Sequence, residues 1–289
     1  MNKIAIISDV NSGLDYIGFD SQIPVLRSMI NFGEEHYIDG LEIKADEFYQ
    51  KVQEKIKDRI IPSTSAPTVG EAMNLIEKLI EEGYTDVIMY SISFKLSSIG
   101  KMVENLQSEY EDKIRIHVVD TRTATYMQGF LAMYAKKMVE EGKDVDEIIK
   151  ETLELRDRSH AYFVVDDLSF LVKNGRLSGA AGFFAGLLKI KPVIEVSDDG
   201  RIATVEKIKT HSRAVERVKE LIQDQTKGAK KVHLILFHTC REEDAYALKD
   251  YFYKTIENVQ DIQVHVVTPA VGAHLGCGVL GAGYYILEK

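Results

Sequence analysis

Short apolar runs alternate with longer stretches of helical period along most of this chain. Lys3–Ser8 (KIAIIS), Asp86–Ser91 (DVIMYS) and Ile114–Asp120 (IRIHVVD) are near-continuous apolar runs that end on polar residues. They predict buried strands followed by loops. Between them, Thr68-Val-Gly-Glu71 has the spacing of a capping box and opens a helix over EAMNLIEKLIEEG. Leu96–Tyr110 and Thr123–Glu141 carry apolar residues at helical intervals and predict two further helices. Alternating strand and helix predicts a parallel sheet covered on both faces. PVLRSMINFGEEHYIDG interrupts that rhythm, and its Asn31-Phe-Gly33 turn predicts a hairpin. The amphipathic Asp144–Ser159 helix closes this half. Beyond it, Pro192–Val196 and Arg201–Ile208 flank Asp198-Asp199-Gly200, a strong hairpin signal. Helices near Ser212–Gln225 and Glu242–Ile256 alternate with further strands. The pattern predicts an α/β chain of two domains. Residues 1–158 form a larger α/β/α domain with a mainly parallel sheet, and 159–289 a smaller α/β domain with a mixed sheet.

Composition adds boundaries. A chain of 289 residues sits where a single core stops growing, at about 250–300 residues, which favours two domains. A net charge of −9 argues against nucleic acid as a general partner. No apolar run approaches the ~18 residues of a membrane span, and Met1-Asn2-Lys3 leads directly into IAIIS without a signal-peptide pattern, so a cytoplasmic protein is expected. The two cysteines, Cys240 and Cys277, make neither a disulfide framework nor a four-cysteine zinc site; Cys277 is either a reactive thiol or, the favoured reading, a small buried filler.

The candidate chemistry clusters in three places. Hydroxyl groups gather at Ser63-Thr64-Ser65 and at Ser91, Ser93, Ser97 and Ser98, near predicted helix starts. Such groups either cap helices or donate to an anion. AVGAHLGCG (Ala270–Gly278) surrounds His274 with small residues, as an incidental turn or as room for a close approach. A hydroxyl beside His274 also suits a nucleophile pair, although no Gly-x-Ser-x-Gly elbow or metal-ligand spacing occurs. Finally, LVKNGRLSGAAGFFAGLLKIKP sets Lys173, Arg176, Lys189 and Lys191 around an apolar run. This is either a buried helix or a tunnel mouth that meets a membrane or partner. Asp167 and Asp199 are read as a cap and a turn residue.

The order of these segments resembles the DegV family, which includes the fatty-acid-binding subunits of bacterial fatty acid kinase. The resemblance is carried by SDVNSGL (from Ser8), Thr64-Ser65-Ala66-Pro67, ISFKLSSI (from Ile92), Val119-Asp120-Thr121, Asp166–Ser178 with the following LLKIKPVIEV, and Gly272–Gly278. It implies a DegV-like fold, a long-chain fatty acid in an interdomain tunnel and no other cofactor or metal. It further implies that Thr64, Ser93 and His274 hold the carboxylate, with Ser65, Phe94, Gly272 and Ala273 as additional site residues. Arg176 would mark the docking point of a separate ATP-binding kinase subunit that makes the acyl phosphate for phospholipid synthesis. Transient membrane contact is a further expectation. The chain departs from the family pattern at Ala66, at Phe94-Lys95 and at Ser98. Phe94 either removes one head-group donor or lines the tunnel, and Lys95 is expected to face solvent. Phe163, Phe170, Phe183, Phe184 and Leu187 are candidate tunnel or core residues. Two other readings stay open on the residues alone, a stand-alone acyl hydrolase using a hydroxyl with His274 and a lipid-sensing regulatory protein.

Overall fold

The computed structural model describes residues 3–178 and 190–289. The chain starts with β1 (Ile4–Asp9) and β2 (Val25–Leu26), followed by the hairpin β3 (Met29–Phe32) and β4 (Glu35–Ile38). Helix α1 (Ala45–Lys55), strand β5 (Ser63–Ser65) and helix α2 (Val69–Glu81) come next. Then follow β6 (Asp86–Ser91), α3 (Ile99–Glu104), α4 (Gln107–Tyr110), β7 (Arg115–Asp120), α5 (Thr125–Glu140) and α6 (Val145–Arg156). The second half holds β8 (Ser159–Val164), α7 (Ser169–Lys173), β9 (Val193–Val196), β10 (Ile202–Glu206) and α8 (His211–Thr226). It ends with β11 (Lys231–Thr239), α9 (Glu242–Thr255), β12 (Val259–Val266), α10 (Pro269–Leu275) and β13 (Val279–Glu288).

The first sheet has the order β2-β1-β6-β7 and is parallel throughout. Every residue of β6 is buried, as a parallel strand covered on both faces requires. The second sheet, β10-β9-β8-β13-β11-β12, is mixed, with β11 and β12 its parallel pair. This is the expected α/β architecture of one parallel and one mixed sheet. The predicted capping box is present, with Thr68 Oγ1 accepting from Glu71 N at 3.2 Å and Glu71 Oε2 accepting from Thr68 N at 2.7 Å.

Three differences from the sequence reading affect the site. The hairpin extends into a third, antiparallel sheet, β4-β3-β5, so Ser63-Thr64-Ser65 is a strand rather than a loop before a helix. The single helix expected over Leu96–Tyr110 divides into α3 and α4, and the Gln107 side chain turns aside to bond the backbone of β7 at Ile116. The segment around His274 is helical, not a tight turn. Thr268 caps it through Val271 N, and Pro269 occupies its first turn, where a missing N–H costs nothing.

Helix α5 joins the two main sheets. Met127, Leu131, Ala132 and Ala135 belong to one apolar core that includes Ile6, Ile88 and Tyr90 from the first sheet and Phe163, Ile235 and Tyr285 from the second. Buried Gln128 donates to Ser8 Oγ at 3.1 Å and to Tyr90 O at 3.0 Å, which fixes α5 against β1 and β6.

Candidate functional site

A cavity of about 1100 Å³, open solvent at its mouth included, lies beside α10 and is lined by residues from both halves of the chain. Its apolar wall includes Ile92, Leu96, Phe163, Val196, Ile202, Phe237, Val271 and Leu275. Its polar lining includes Asn11, Ser28, Thr64, Ser97, Ser98, Thr123, Thr125, Arg176 and His274. An apolar wall beside a polar one suits a ligand with an apolar body and a polar head.

Thr64 reaches the cavity because β5 pairs with β3, with Ile30 opposite Thr64. His274 reaches it from the last turn of α10, which packs on α1, α7, β3 and β5. Thr64 Oγ1 and His274 Nε2 are 3.0 Å apart. With Nε2 protonated, the ring donates to Thr64 and leaves the threonine hydroxyl hydrogen to donate to an anion. His274 Nδ1 is buried without a hydrogen-bond partner. Burial, reinforced by the Arg176 charge, lowers the His274 pKa to about 4, so the ring is neutral at pH 7.

Arg176 is exposed at the edge of this lining. Its Nε donates to Leu96 O at 3.2 Å and its Nη1 to Asn174 O at 2.6 Å. Asn174 in turn donates to Ala273 O at 3.1 Å and to Pro62 O at 3.2 Å. The arginine is thereby tied to α10 and to the approach of β5, and it supplies positive charge beside a neutral imidazole.

Several expected site residues have other partners. Ser93 is fully buried and does not line the cavity; its hydroxyl donates to Gly200 O at 2.8 Å and accepts from Lys95 N at 3.2 Å. It fastens the β6–α3 loop to the β9–β10 turn, so the hydroxyl is already spent on protein. Ser65 is exposed and accepts from Asn31 Nδ2 at 3.0 Å. Phe94 does not line the cavity either. Its ring lies against Gly100, and the Lys101 ammonium stands 4.6 Å from the ring centre. Lys95 is exposed, as expected.

The small residues around His274 serve helix packing rather than ligand approach. A Cβ on Gly272 would lie 2.4 Å from Tyr49 Oη and 2.9 Å from the Phe48 ring, both on α1. Ala273 is buried in the same apolar cluster. Gly272 thus lets α10 sit close enough to α1 for His274 to meet Thr64.

Sequence reasoning missed Asn11, Ser28, Thr123 and Thr125 as lining residues. One signal was available for Asn11: an aspartate two residues earlier suggests a tight polar turn. Asp9 is fully buried and accepts from Asn11 N, Asn11 Nδ2 and, across the sheet, Ile92 N. Of the aromatic candidates, Phe163 lines the cavity, whereas Phe170 packs beneath Gly276. Phe183, Phe184, Leu187 and Lys189 lie outside the described residues. Lys191 is engaged by Asp166 at 3.2 Å, and Asp167 accepts from Ser169 N at the start of α7. Asp199 accepts from Ser197 Oγ and Arg201 N within its turn. Cys277 is half-buried rather than buried, and its neighbour is Cys240. Among the described residues, no group of three or more His, Cys, Asp or Glu side chains is arranged to hold a metal ion, and no helix is long and apolar enough to cross a membrane.

A family model described as "Uncharacterised protein, DegV family" matches residues 3–287. A DegV domain-containing protein of Staphylococcus aureus is 33% identical over 286 residues, covering 98% of this chain and 97% of its own. Among solved structures, DegV of Bacillus subtilis, titled a fatty acid binding protein, superposes with a TM-score of 0.88 at 30% identity, covering 99% of this chain and 100% of its own. A fatty acid binding DegV family protein of Streptococcus agalactiae gives a TM-score of 0.88 at 28% identity, covering 99% of each chain.

Proposed function

The chain belongs to the DegV family, and from that premise we propose that it binds a long-chain fatty acid and presents the carboxylate to a separate ATP-binding kinase subunit. The observation that carries the binding step is the Thr64–His274 pair, 3.0 Å apart in a cavity that also has an apolar wall. A buried carboxylate must be hydrogen-bonded, because an unpaired one costs several kcal/mol, roughly. The Thr64 hydroxyl, oriented by His274, supplies a donor, Ser97 and Ser98 stand on the same lining, and Arg176 offers a charge near the mouth. Each CH₂ of the chain buried against the apolar wall adds about 0.8 kcal/mol. The head group would set register, and the tail would set affinity. The solved relatives titled as fatty acid binding support the same ligand class.

In this reading the tunnel runs between a domain of residues 1–158 and one of 159–289. The kinase docks on the face that carries Arg176 and phosphorylates the carboxylate. The protein supplies no nucleotide site, works in the cytoplasm, meets the membrane only transiently, and its acyl phosphate feeds phospholipid synthesis.

Mass spectrometry of an organic extract of the purified protein tests the ligand. A stoichiometric fatty acid is expected. An empty extract, with no uptake of added fatty acid, would overturn the reading. Arg176→Ala tests the presentation step. It should spare retention and impair phosphorylation by a cognate kinase subunit; full phosphorylation would remove Arg176 from the docking surface.

The Thr64–His274 distance also fits a nucleophile and its base. Two features weigh against a hydrolase. The imidazole is held near pKa 4, which makes it a poor base, and its Nδ1 lacks the orienting acceptor that such pairs use. Turnover of an activated acyl ester by the protein alone would reverse this judgement.

A further inference from the structure

The register of the second sheet brings the two cysteines of this chain together. Strands β11 and β13 run antiparallel, and Thr239 opposite Val279 is the last residue pair of their ladder. Cys240 follows directly after Thr239, and Cys277 lies two residues before Val279. Thr239 closes this end of the ladder with three hydrogen bonds. Its Oγ1 donates to Gly276 O at 2.8 Å and accepts from Val279 N at 2.9 Å, and its carbonyl accepts from Gly278 N at 3.0 Å. Cys277 is therefore clamped on both sides to the residue that precedes Cys240. The two sulfurs are 2.7 Å apart, 37 residues apart in sequence, and both are free thiols. The fatty-acid reading uses neither of them.

We propose that Cys240 and Cys277 are a reversible thiol–disulfide modification site, with exposed Cys240 the thiol that meets the oxidant and half-buried Cys277 the one that resolves it. Two loops already held in register can be joined without moving the backbone far, which is the geometric condition for a disulfide. The surroundings favour this division of roles. Contact with Cys277 holds the Cys240 thiol below its ordinary range against the opposing effect of burial, with Gln53, the Gly278 N–H and Arg241 adding to the lowering. The same contact and burial push Cys277 up. The more acidic, more accessible sulfur is the better nucleophile toward an oxidant near neutral pH.

With a hydroperoxide as the oxidant, the Cys240 thiolate attacks one peroxide oxygen and breaks the O–O bond. This gives a sulfenic acid and releases hydroxide, or an alkoxide from an organic peroxide. The Cys277 sulfur then attacks the Cys240 sulfur, its proton leaves with the displaced hydroxyl as water, and the S–S bond forms. Two thiols are oxidised by two electrons and the peroxide is reduced by two. A dithiol reductant reverses the step by exchange.

The test uses the full chain, reduced, freed of reductant and exposed to a small excess of hydrogen peroxide. It is then quenched with N-ethylmaleimide and read by intact mass. The expected product is a monomer about 2 Da lighter that takes no maleimide, and dithiothreitol should return it to a form that takes two. Cys240→Ser and Cys277→Ser should each lose the 2 Da product. Wild-type protein that still takes two maleimides after peroxide would overturn the proposal. So would oxidation only to sulfinic acid or intermolecular dimers at the rate of the single-serine variants. The wild-type measurement decides the matter even if a variant folds poorly, and it is independent of whether the cavity holds a fatty acid.

Discussion

Asp39 Oδ2 accepts the Ala270 N–H at 2.7 Å, a bond between residues 231 positions apart. Asp39 is fully buried, and Ala270 lies in the first turn of the helix that carries His274. A carboxylate from the first half of the chain thus satisfies one of the N–H groups that a helix start leaves unpaired. Asp39→Ala should cost about 1–3 kcal/mol, because it strands a buried donor. Asp39→Asn, which keeps an acceptor oxygen, should cost less. Urea unfolding of the two variants checks the order, and equal losses would show that the acceptor is not what matters.

The same residue shapes the response to pH. Burial raises the Asp39 pKa to about 7, ahead of the opposing Ala270 bond, and burial lowers His265 and His274 to about 4. For the histidines the unfolded chain binds more protons between pH 4 and 6.5, so their contribution is present above 6.5 and lost as pH falls through 4. For Asp39 the folded chain binds more, so its contribution is present below about 4 and lost as pH rises through 7. Asp9, also raised by burial, adds to the carboxyl side, and His211, His233 and His238, also lowered by burial, add to the histidine side, so the histidines outweigh the carboxyls. Stability should therefore rise between pH 4 and 6.5, and Asp39→Asn should make that rise steeper. Urea midpoints at half-unit intervals measure both slopes. An unchanged slope in the variant would show that Asp39 titrates normally.

Ser93 and Thr64 should separate in their effects. Thr64→Val should weaken retention of a fluorescent fatty acid by about tenfold or more, the worth of one hydrogen bond to a charged group, and His274→Ala should weaken it in the same direction by releasing the Thr64 hydroxyl from its orientation. Ser93→Ala should leave retention within about threefold and instead destabilise the fold by about 1–3 kcal/mol, because Gly200 O loses its donor. Displacement titration and thermal unfolding on the same samples distinguish the cases. A retention defect in Ser93→Ala as large as in Thr64→Val would place the Ser93 hydroxyl on the ligand.

Gly272→Ala is a small change with a large expected effect. Its methyl would meet Tyr49 Oη, which donates to Val267 O at 2.8 Å just ahead of α10. The helix must move away from α1 or Tyr49 must release its bond, at about 1–3 kcal/mol. Either response displaces His274. A lowered Tm together with weakened fatty-acid retention is expected. Tyr49→Phe combined with Gly272→Ala should recover part of the loss, since the clashing oxygen is gone. No recovery would point to the ring carbons that remain, Phe48 Cε1 and Tyr49 Cζ, each 2.9 Å from the added methyl.

Local pattern determined the elements of this protein. The apolar runs of β1, β6 and β7, the Thr68–Glu71 capping box and the Gly33 and Gly200 hairpins are each written within a few residues, because strand burial, helix capping and turn conformation are short-range requirements. The residues alone marked hydroxyl clusters, His274 and a basic segment, and the resemblance to the DegV family chose Thr64, Ser93, His274 and Arg176 from among them. Which of these meet was decided by tertiary structure. Ser93 and Thr64 look equivalent as hydroxyls beside apolar runs, yet one faces Gly200 and the other His274, because β5 pairs with β3 to build a sheet that no single run predicts. The glycine at 272 reads as space for a ligand until α1 is seen to fill it. Cys240 and Cys277 are unrelated in sequence and adjacent only through the register of β11 against β13. A hydrogen bond or a thiol pair depends on distances of a few ångströms between residues far apart in the chain, and packing of the whole core sets those distances.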